Sequence, residues 1–303
     1  MITRDTNAFL DFARGCAADF GPATARAAFL VAPDGFALAE QSAQDNRYMA
    51  KATAFDPASA SAQHRELHRA FSGVLPTVCF AGSPDTPDAL FPNNVFGTAA
   101  GRYVVGRMRH PVRQREAARD DIRGFFAGVL DYAEVDLSTQ VHPCELTGAL
   151  VIDRARGLGF CGLSERCDEE GARLMHEAFG LRATLLFDLE PGEYHTNVVL
   201  AVLAGRAAIV CPRGFADAAV VEAIASLYAP HVVSCSPAEH AAFVGNAISL
   251  SADTVWMSAH AGRTLTEANR ERLRVAGFTV ATVELDAIEA GGGSLRCCVG
   301  EIY

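Results

Sequence analysis

Short apolar runs alternate with longer amphipathic stretches along the whole chain, which is the pattern of an α/β protein. The apolar runs predict strands at 28–31, 75–80, 103–107, 149–152, 159–162, 183–187, 198–203, 207–210, 231–234, 247–250, 254–257, 279–284 and 297–302. The amphipathic stretches predict helices at 58–71, 113–132, 168–179, 216–228 and 265–276.

A unit of one hairpin, one helix and one further strand recurs roughly every 50–60 residues. Because each unit has its helix outside and its strands inside, the repeat favours radial packing around a central axis; an open Rossmann-type sheet is the alternative. No linker rich in Pro, Gly and Ser divides the chain, so we expect a single catalytic domain over residues 27–303. Residues 1–26 predict an N-terminal helical extension.

The charge balance limits the classes of partner. Lys and Arg number 26 against 36 Asp and Glu, a formal charge of −10, which argues against nucleic acid or an anionic membrane. No run of about 18 apolar residues is present to span a bilayer. The first residues lack the pattern of a signal peptide, so we expect a cytoplasmic protein that acts on a small molecule. A homodimer is kept open as its assembly.

Nine cysteines occur without a Cys-x-x-Cys pair or zinc-type spacing, so neither a disulfide scaffold nor a metal is expected. Most are predicted to be small buried hydrophobes of a reducing compartment, and one of them is a candidate nucleophile. His64 and His68 stand four apart on a predicted helix, but without a third ligand they are expected on a solvated face.

The segment Gly291-Gly-Gly-Ser-Leu-Arg-Cys297-Cys298 is the strongest candidate for chemistry. Three glycines bury no side chain, and they suit a backbone that turns tightly or approaches a ligand. Cys297 at their edge is placed as a nucleophile and needs a base or acid partner. His195, after the turn Pro191-Gly-Glu-Tyr194 and at the start of an apolar strand, is the best candidate, and Glu145 is placed to orient its imidazole.

Four segments in one order resemble the pentein, or guanidine-modifying, superfamily. They are Pro87-Asp-Ala-Leu-Phe-Pro-Asn-Asn94, Glu145-Leu-Thr-Gly148, His195-Thr-Asn197 and Gly293 with Cys297. The chain resembles its arginine-deiminase-related and amidinotransferase-like bacterial branch from about residue 28 onward. It is also similar to dimethylarginine dimethylaminohydrolase, through Gly162-Leu-Ser-Glu-Arg166. The resemblance implies a five-bladed α/β propeller with a central active-site cavity.

The resemblance also implies roles for individual residues and no cofactor. Cys297 is then the nucleophile, His195 the general acid and base, and Glu145 its orienting partner. Asp88 would bind the amidino nitrogens, and an Arg fork suits the substrate carboxylate, a role that falls to Arg113 and Arg166. The implied substrate-binding residues are Asp88, Asn94, Arg113, Arg166, Asn197, Phe91 and Asn46.

Two positions depart from the family pattern. Asn94 stands where deiminases and dimethylarginine hydrolases carry Asp, and Asn197 stands where deiminases carry Asp. A carboxylate pairs bidentately with a guanidinium, whereas an amide offers one acceptor and one donor. Dihydrolases of arginine and succinylarginine resemble this chain in having Asn at the first position. We hypothesise that Asn94 holds a ureido oxygen and permits a second hydrolysis.

These observations predict a cofactor-free hydrolase that cleaves C–N bonds of a guanidino or ureido amino acid through a covalent cysteine adduct. An amidinotransferase, which passes the same adduct to an amine acceptor, is the first alternative. A binding protein that retains the pocket without turnover is the second.

Overall fold

The computed structural model describes residues 1–49 and 56–303. In these ranges the strands are β1 (Ile2–Thr3), β2 (Ala27–Val31), β3 (Thr77–Phe80), β4 (Phe96–Ala99), β5 (Arg102–Val105), β6 (Ala133–Asp136), β7 (Leu150–Asp153), β8 (Leu158–Leu163), β9 (Ala183–Asp188), β10 (Leu200–Leu203), β11 (Ala207–Val210), β12 (Val232–Ser234), β13 (Thr254–Ser258), β14 (Thr279–Val283) and β15 (Gly300–Ile302). The α-helices are α1 (Thr6–Arg14), α2 (Glu40–Ala43), α3 (Pro57–Ser72), α4 (Pro111–Gln114), α5 (Asp120–Gly124), α6 (Leu146–Ala149), α7 (Glu169–Phe179), α8 (Thr196–Val199), α9 (Ala218–Tyr228), α10 (Pro237–Ala241), α11 (Ala259–Thr264), α12 (Glu267–Val275) and α13 (Asp286–Glu289).

The described strands form five separate sheets with one recurring connection. Two strands pair antiparallel, a helical segment follows, and the next strand returns parallel to the second, as in β7–β8–β9 and β10–β11–β12. In the β13–β14 sheet the antiparallel partner is reduced to a bridge between Ile248 and Trp256. The C-terminal β15 pairs with β2, so one sheet joins both ends of the chain. The predicted recurrence of hairpin, helix and strand is therefore confirmed.

The first residues pack onto the third of these units. β1 adds a parallel strand to β9, with Ile2 opposite Thr184. Asp5 caps α1 by accepting hydrogen bonds from two backbone amides, which satisfies donors that a helix start leaves free. α1 buries Phe9, whose ring meets Phe160 edge-on at 5.6 Å between centroids.

The long helix predicted over 113–132 is wrong. α4 ends at Gln114 and α5 begins only at Asp120, because Arg119 between them is extended, with φ −70° and ψ 94°. The Arg119 side chain donates to the Ala81 carbonyl and to Asp121. These contacts lie outside the helical repeat, so tertiary structure overrides the local periodicity here.

A short turn precedes the first strand of four of the sheets and carries residues of the predicted site. The turns are Pro92–Asn94 before β4, α6 before β7, α8 before β10, and Leu295–Cys298 before β15. The sequence predicted that His195 and Cys297 open strands; this is wrong, because His195 is the N-cap of α8 and Cys297 lies in the last of these turns. All of these turns sit at the same place in their unit.

Across the described ranges, no helix combines the length and the apolar character needed to cross a membrane.

Candidate active site

Residues from two of these turns, Asn94 and Cys297, meet at one small cavity. Its lining residues are Ser42, Asn46, Met49, Asp88, Phe91, Asn94, Arg113, Arg166, Tyr194, Gly291, Gly293 and Cys297. Most of the residues predicted for substrate binding are in this set, together with the predicted nucleophile. Gly293 has a steric reason to be glycine, because a Cβ there would lie 2.9 Å from the Phe91 ring and 3.1 Å from the Cys297 Cβ.

Cys297 is 2% exposed, and its sulfur contacts two asparagines. The Asn246 Nδ2 donates to Cys297 Sγ at 3.3 Å, and Sγ lies 3.8 Å from the Asn197 Oδ1. Burial raises the pKa of the Cys297 thiol above its ordinary value, while the Asn246 hydrogen bond acts in the opposite direction. The resting sulfur at neutral pH is therefore a thiol, and it needs a base to become a nucleophile.

His195 and Glu145 form a fully buried pair, with 2.8 Å between His195 Nε2 and Glu145 Oε2. Burial opposes ionisation of Glu145, but the Arg166 guanidinium and the His195 hydrogen bond outweigh it, and the pKa of Glu145 lies well below its usual range. Glu145 is thus an acceptor, which assigns the proton to His195 Nε2. Burial lowers the pKa of His195 although Glu145 opposes the shift, so the imidazole is neutral with a bare Nδ1.

The bare His195 Nδ1 has no hydrogen-bond partner in residues 1–49 and 56–303 and faces the same gap as Asn94. A Cβ on Gly148 would lie 2.9 Å from His195 Nδ1 and 2.5 Å from Asn94 Oδ1. The absence of a side chain at Gly148 therefore lets the imidazole approach Asn94, which lines the cavity. A ring nitrogen held free in this way can accept or deliver a proton at the cavity.

Replacing Gly148 by Ala should lower turnover about 100-fold, because a misplacement of reacting groups by about 1 Å has an effect of that size. The new methyl would push His195 and Asn94 apart. Steady-state kinetics of the folded variant measure the effect. Gly124→Ala is the matched control, since nothing lies within 4 Å of its Cβ position; a Gly148→Ala enzyme as active as this control would contradict the steric role of Gly148.

Asp88 presents a free oxygen to the cavity. Its Oδ2 accepts a hydrogen bond from Ser42, while Oδ1 is buried and has no partner in the part of the chain that the structure describes. The segment that carries Ser42 also contributes Asn46, whose Nδ2 donates to the Gly292 carbonyl at 3.2 Å. This segment therefore joins the cavity wall to the glycines before Cys297.

Both arginines predicted for the substrate carboxylate already hold a carboxylate of the protein. Arg113 binds Glu116 through Nε at 2.9 Å and Nη2 at 2.8 Å, and it also donates to the Phe91 carbonyl. Arg166 binds Asp45 through Nε at 2.9 Å and reaches Glu145 at 3.2 Å. Burial raises the pKa of Glu116 to about 7, against the attraction of Arg113.

Sequence reasoning missed Asn246, Gly148, Glu116 and Ser42. Glu116 had a detectable signal, since it follows Arg113 by three residues and such pairs meet on a helical turn. Gly148 lay inside a quoted segment but was not singled out. Asn246 and Ser42 carried no motif, and only the tertiary contacts reveal them.

The histidine pair and the cysteines noted in the sequence do not form a second site within the described residues. His64 is 3% exposed, so the expectation of a solvated face is wrong, and burial lowers the pKa of its imidazole to about 4. Within the described ranges, no group of three His, Cys, Asp or Glu side chains is arranged to hold a metal ion. All nine cysteines are free thiols and seven are buried, as the sequence predicted for most of them.

Known proteins match both the sequence and the fold. The dimethylarginine dimethylaminohydrolase of Mycobacterium tuberculosis is 28% identical over 259 residues, which are 85% of this chain and 80% of that protein. The N-terminal domain of the cyanobacterial arginine dihydrolase ArgZ, solved with substrate, has a TM-score of 0.79 at 19% identity, over 91% of this chain and 98% of that one. A dimethylarginine dimethylaminohydrolase adduct with S-methyl-L-thiocitrulline has a TM-score of 0.70 at 17% identity, over 91% and 99%.

The α/β fold and the site define a cysteine-dependent amidine hydrolase of the pentein superfamily. The family described as N,N dimethylarginine dimethylhydrolase, eukaryotic, matches residues 32–303. The chain belongs to this dimethylarginine dimethylaminohydrolase family, and the resemblance seen in the sequence is confirmed.

Proposed function

We propose that this enzyme hydrolyses a C–N bond in the guanidino group of arginine or a related amino acid, through a covalent adduct on Cys297. Three buried acceptors that have no hydrogen-bond partner among the described residues carry this proposal: Asp88 Oδ1, Asn94 Oδ1 and His195 Nδ1. Buried polar atoms are almost always hydrogen-bonded, so three acceptors around one gap call for a ligand rich in N–H donors. A guanidinium supplies five such donors in one plane.

The fixed charges agree with a cationic ligand. Among the described residues around the cavity, the carboxylates of Asp88, Glu145 and Asp45, and that of Glu116 with its pKa of about 7, face the two guanidinium groups of Arg113 and Arg166. An excess of carboxylate in a buried site stabilises a positive guanidinium. We propose that Asp88 and Asn94 bind its nitrogens, that Phe91 packs against its plane, and that Arg113, Arg166, Asn46 and Asn197 complete the site.

The proposed reaction has two halves. His195 Nδ1 takes the proton of the Cys297 thiol, and the thiolate attacks the central carbon of the guanidinium. The imidazolium then gives this proton to the departing amine, which leaves an amidino group on sulfur. In the second half His195 Nδ1 removes a proton from water, and the resulting hydroxide attacks the adduct. The C–S bond then breaks, the imidazolium returns its proton to the Cys297 sulfur, and the ureido product loses its hydroxyl proton to solvent. Glu145 keeps the imidazole in the right tautomer and stabilises its charged form.

A direct test is mass spectrometry of the protein during incubation with arginine, its N-methylated forms and ureido analogues. We expect an adduct on the peptide that carries Cys297, together with free ammonia or methylamine. Transfer of the amidino group to an added amine, at the expense of water, would support the amidinotransferase alternative. A ligand that raises the melting temperature but leaves neither adduct nor product would favour a binding protein.

Asn94 should decide how far the reaction proceeds. An amide there accepts from an N–H donor and can also donate to a ureido oxygen, whereas a carboxylate only accepts. We expect Asn94→Asp and Asn94→Ser to change the ratio of citrulline-type to ornithine-type product, which amino-acid analysis of the reaction mixture measures. An unchanged ratio in both variants would count against a role for Asn94 in a second hydrolysis.

We also propose that the five sheets are the blades of a five-bladed α/β propeller around this cavity. The shared connection pattern and the equivalent turns that reach the cavity support the arrangement. Residues 27–303 would form the catalytic domain and residues 1–26 an extension attached through β1. A cytoplasmic location and a homodimer stay predictions, which fractionation and analytical ultracentrifugation would test.

A further inference from the structure

Four of the five sheets have a short turn before their first strand that carries residues of the site. Asn246 lies at the corresponding position before the remaining sheet, that of β13 and β14. It lies two residues before Ile248, whose bridge to Trp256 begins the repeat that contains β13 and β14. Asn94 lies at the same distance before β4. The residue before Asn246 must be glycine, because a Cβ on Gly245 would lie 2.4 Å from the Val198 carbonyl oxygen. This close approach brings Asn246 onto α8 and the Cys297 turn.

The orientation of the Asn246 amide is fixed by its neighbours. Its Nδ2 lies 2.8 Å from the Asn197 carbonyl oxygen, which only a donor can satisfy, so the nitrogen must face that side. The same Nδ2 lies 3.3 Å from Cys297 Sγ. One N–H therefore points to the carbonyl, and the second reaches Cys297 Sγ at 3.3 Å with the Asn197 Oδ1 as a longer contact at 3.5 Å. Asn246 is fully buried, which excludes water as a competing acceptor.

We propose that Asn246 is a further catalytic residue, which donates a hydrogen bond to Cys297 Sγ and stabilises it as the thiolate that attacks the substrate. This inference rests on the proposed role of Cys297. Among the described residues, the side chains hydrogen-bonded to this sulfur are Asn246 and Asn197. The thiol can donate to Asn197 Oδ1; once His195 holds the proton, the thiolate accepts the Asn246 N–H as a charge-assisted hydrogen bond.

The neutral side chain of Asn197 contributes to the same stabilisation of the Cys297 thiolate. With an aspartate at position 197, a negative oxygen would lie beside the sulfur and oppose its ionisation. An amide supplies an acceptor for the thiol without that charge, and its backbone carbonyl holds the Asn246 amide in place. The neutral Asn197, which departs from the deiminase pattern, and the N–H donor of Asn246 thus both favour the thiolate form of Cys297.

The test measures the pH dependence of Cys297 alkylation by iodoacetamide in the free enzyme, read by mass spectrometry of its peptide. Loss of one hydrogen bond to the thiolate in Asn246→Ala should raise the Cys297 pKa by about one unit and slow alkylation at pH 7 about tenfold. The isosteric Asn246→Asp adds a negative charge and should raise the Cys297 pKa further. Above these pKa values the rates should converge with that of the wild type.

Asn269→Ala is the matched control. Asn269 is another buried asparagine, but its amide donates to Glu239 and to the Ser234 carbonyl, away from Cys297. Its replacement should leave the alkylation profile unchanged. In turnover, kcat of Asn246→Ala should fall most at low pH and recover as pH rises, whereas a merely structural defect would lower kcat equally at every pH. An unshifted Cys297 pKa in folded Asn246→Ala and Asn246→Asp overturns the proposal.

A measurement on the wild type does not depend on any Asn246 variant folding. With ¹⁵N-labelled asparagine side chains, one amide resonance should titrate with the Cys297 pKa and stop titrating in Cys297→Ser; no such resonance would also overturn the proposal. Because neither assay needs turnover, the two failures are distinguishable. A shifted thiol in an enzyme that acts on no guanidino compound refutes only the proposed function, and an unshifted thiol in an active enzyme refutes only the role of Asn246.

Discussion

Replacing Cys297 by Ser or His195 by Ala should each lower turnover of the guanidino substrate by about 10³-fold or more, the scale seen when one member of a nucleophile–base unit is removed. The serine hydroxyl is a much weaker nucleophile than a thiolate, and His195→Ala removes the Nδ1 that we propose takes the thiol proton. Because the two residues act as a unit, the double variant should be little worse than either single one. Initial rates of ammonia or methylamine release measure the effect.

Cys298→Ser provides the control for the nucleophile. Cys298 is adjacent in sequence and equally buried, but its sulfur donates to the Ser294 carbonyl and does not line the cavity. We expect a mild loss of rate, from packing alone. A fully active Cys297→Ser enzyme is incompatible with the covalent mechanism. A Cys298→Ser enzyme as impaired as Cys297→Ser would indicate that Cys298 is the nucleophile.

Much of the fold could be predicted from the sequence because each repeat produces a local pattern of apolar and polar residues. The alternation of apolar runs gave most strands, and the hairpin across Gly157 could be predicted from its turn, where the glycine has φ +71°. The helix predicted over 113–132 failed because Arg119 makes its hydrogen bonds to Ala81 and Asp121, and no periodicity records a contact to a distant carbonyl.

The candidate site likewise contains some residues that could be predicted from the sequence and others that could not. Cys297, His195 and Glu145 are far apart along the chain, and their resemblance to a known family pointed to a common site before any geometry did. The contact of Ser42 with Asp88 and that of Asn246 with Cys297 depend on tertiary packing. Asn246 sits in the repeat whose hairpin is reduced to one bridge, so neither a strand pattern nor a motif marked its turn.

Removing the carboxylate of Glu116 should destabilise the fold by about 3–5 kcal/mol, the range for a buried ion pair that loses one partner. The side chains of Arg113 and Glu116 are 4% and 2% exposed, so in Glu116→Ala the guanidinium stays buried without a counter-charge. Glu116→Gln keeps the volume and one acceptor and should lose less. Urea unfolding at about pH 8.5, above the pKa of about 7 that burial gives Glu116, followed by circular dichroism, gives the free energy of unfolding of each variant.

The matched control is Glu66→Ala, which removes the carboxylate of another Arg–Glu pair spaced by three residues. There the Arg69 and Glu66 side chains are 72% and 60% exposed, and such surface pairs contribute about 0–1 kcal/mol. The spacing is the same in both pairs, so the difference between the two variants isolates burial. Equal losses in Glu116→Ala and Glu66→Ala would mean that Arg113 finds water or another partner, and would remove the basis for treating the pair as a fixed wall of the cavity.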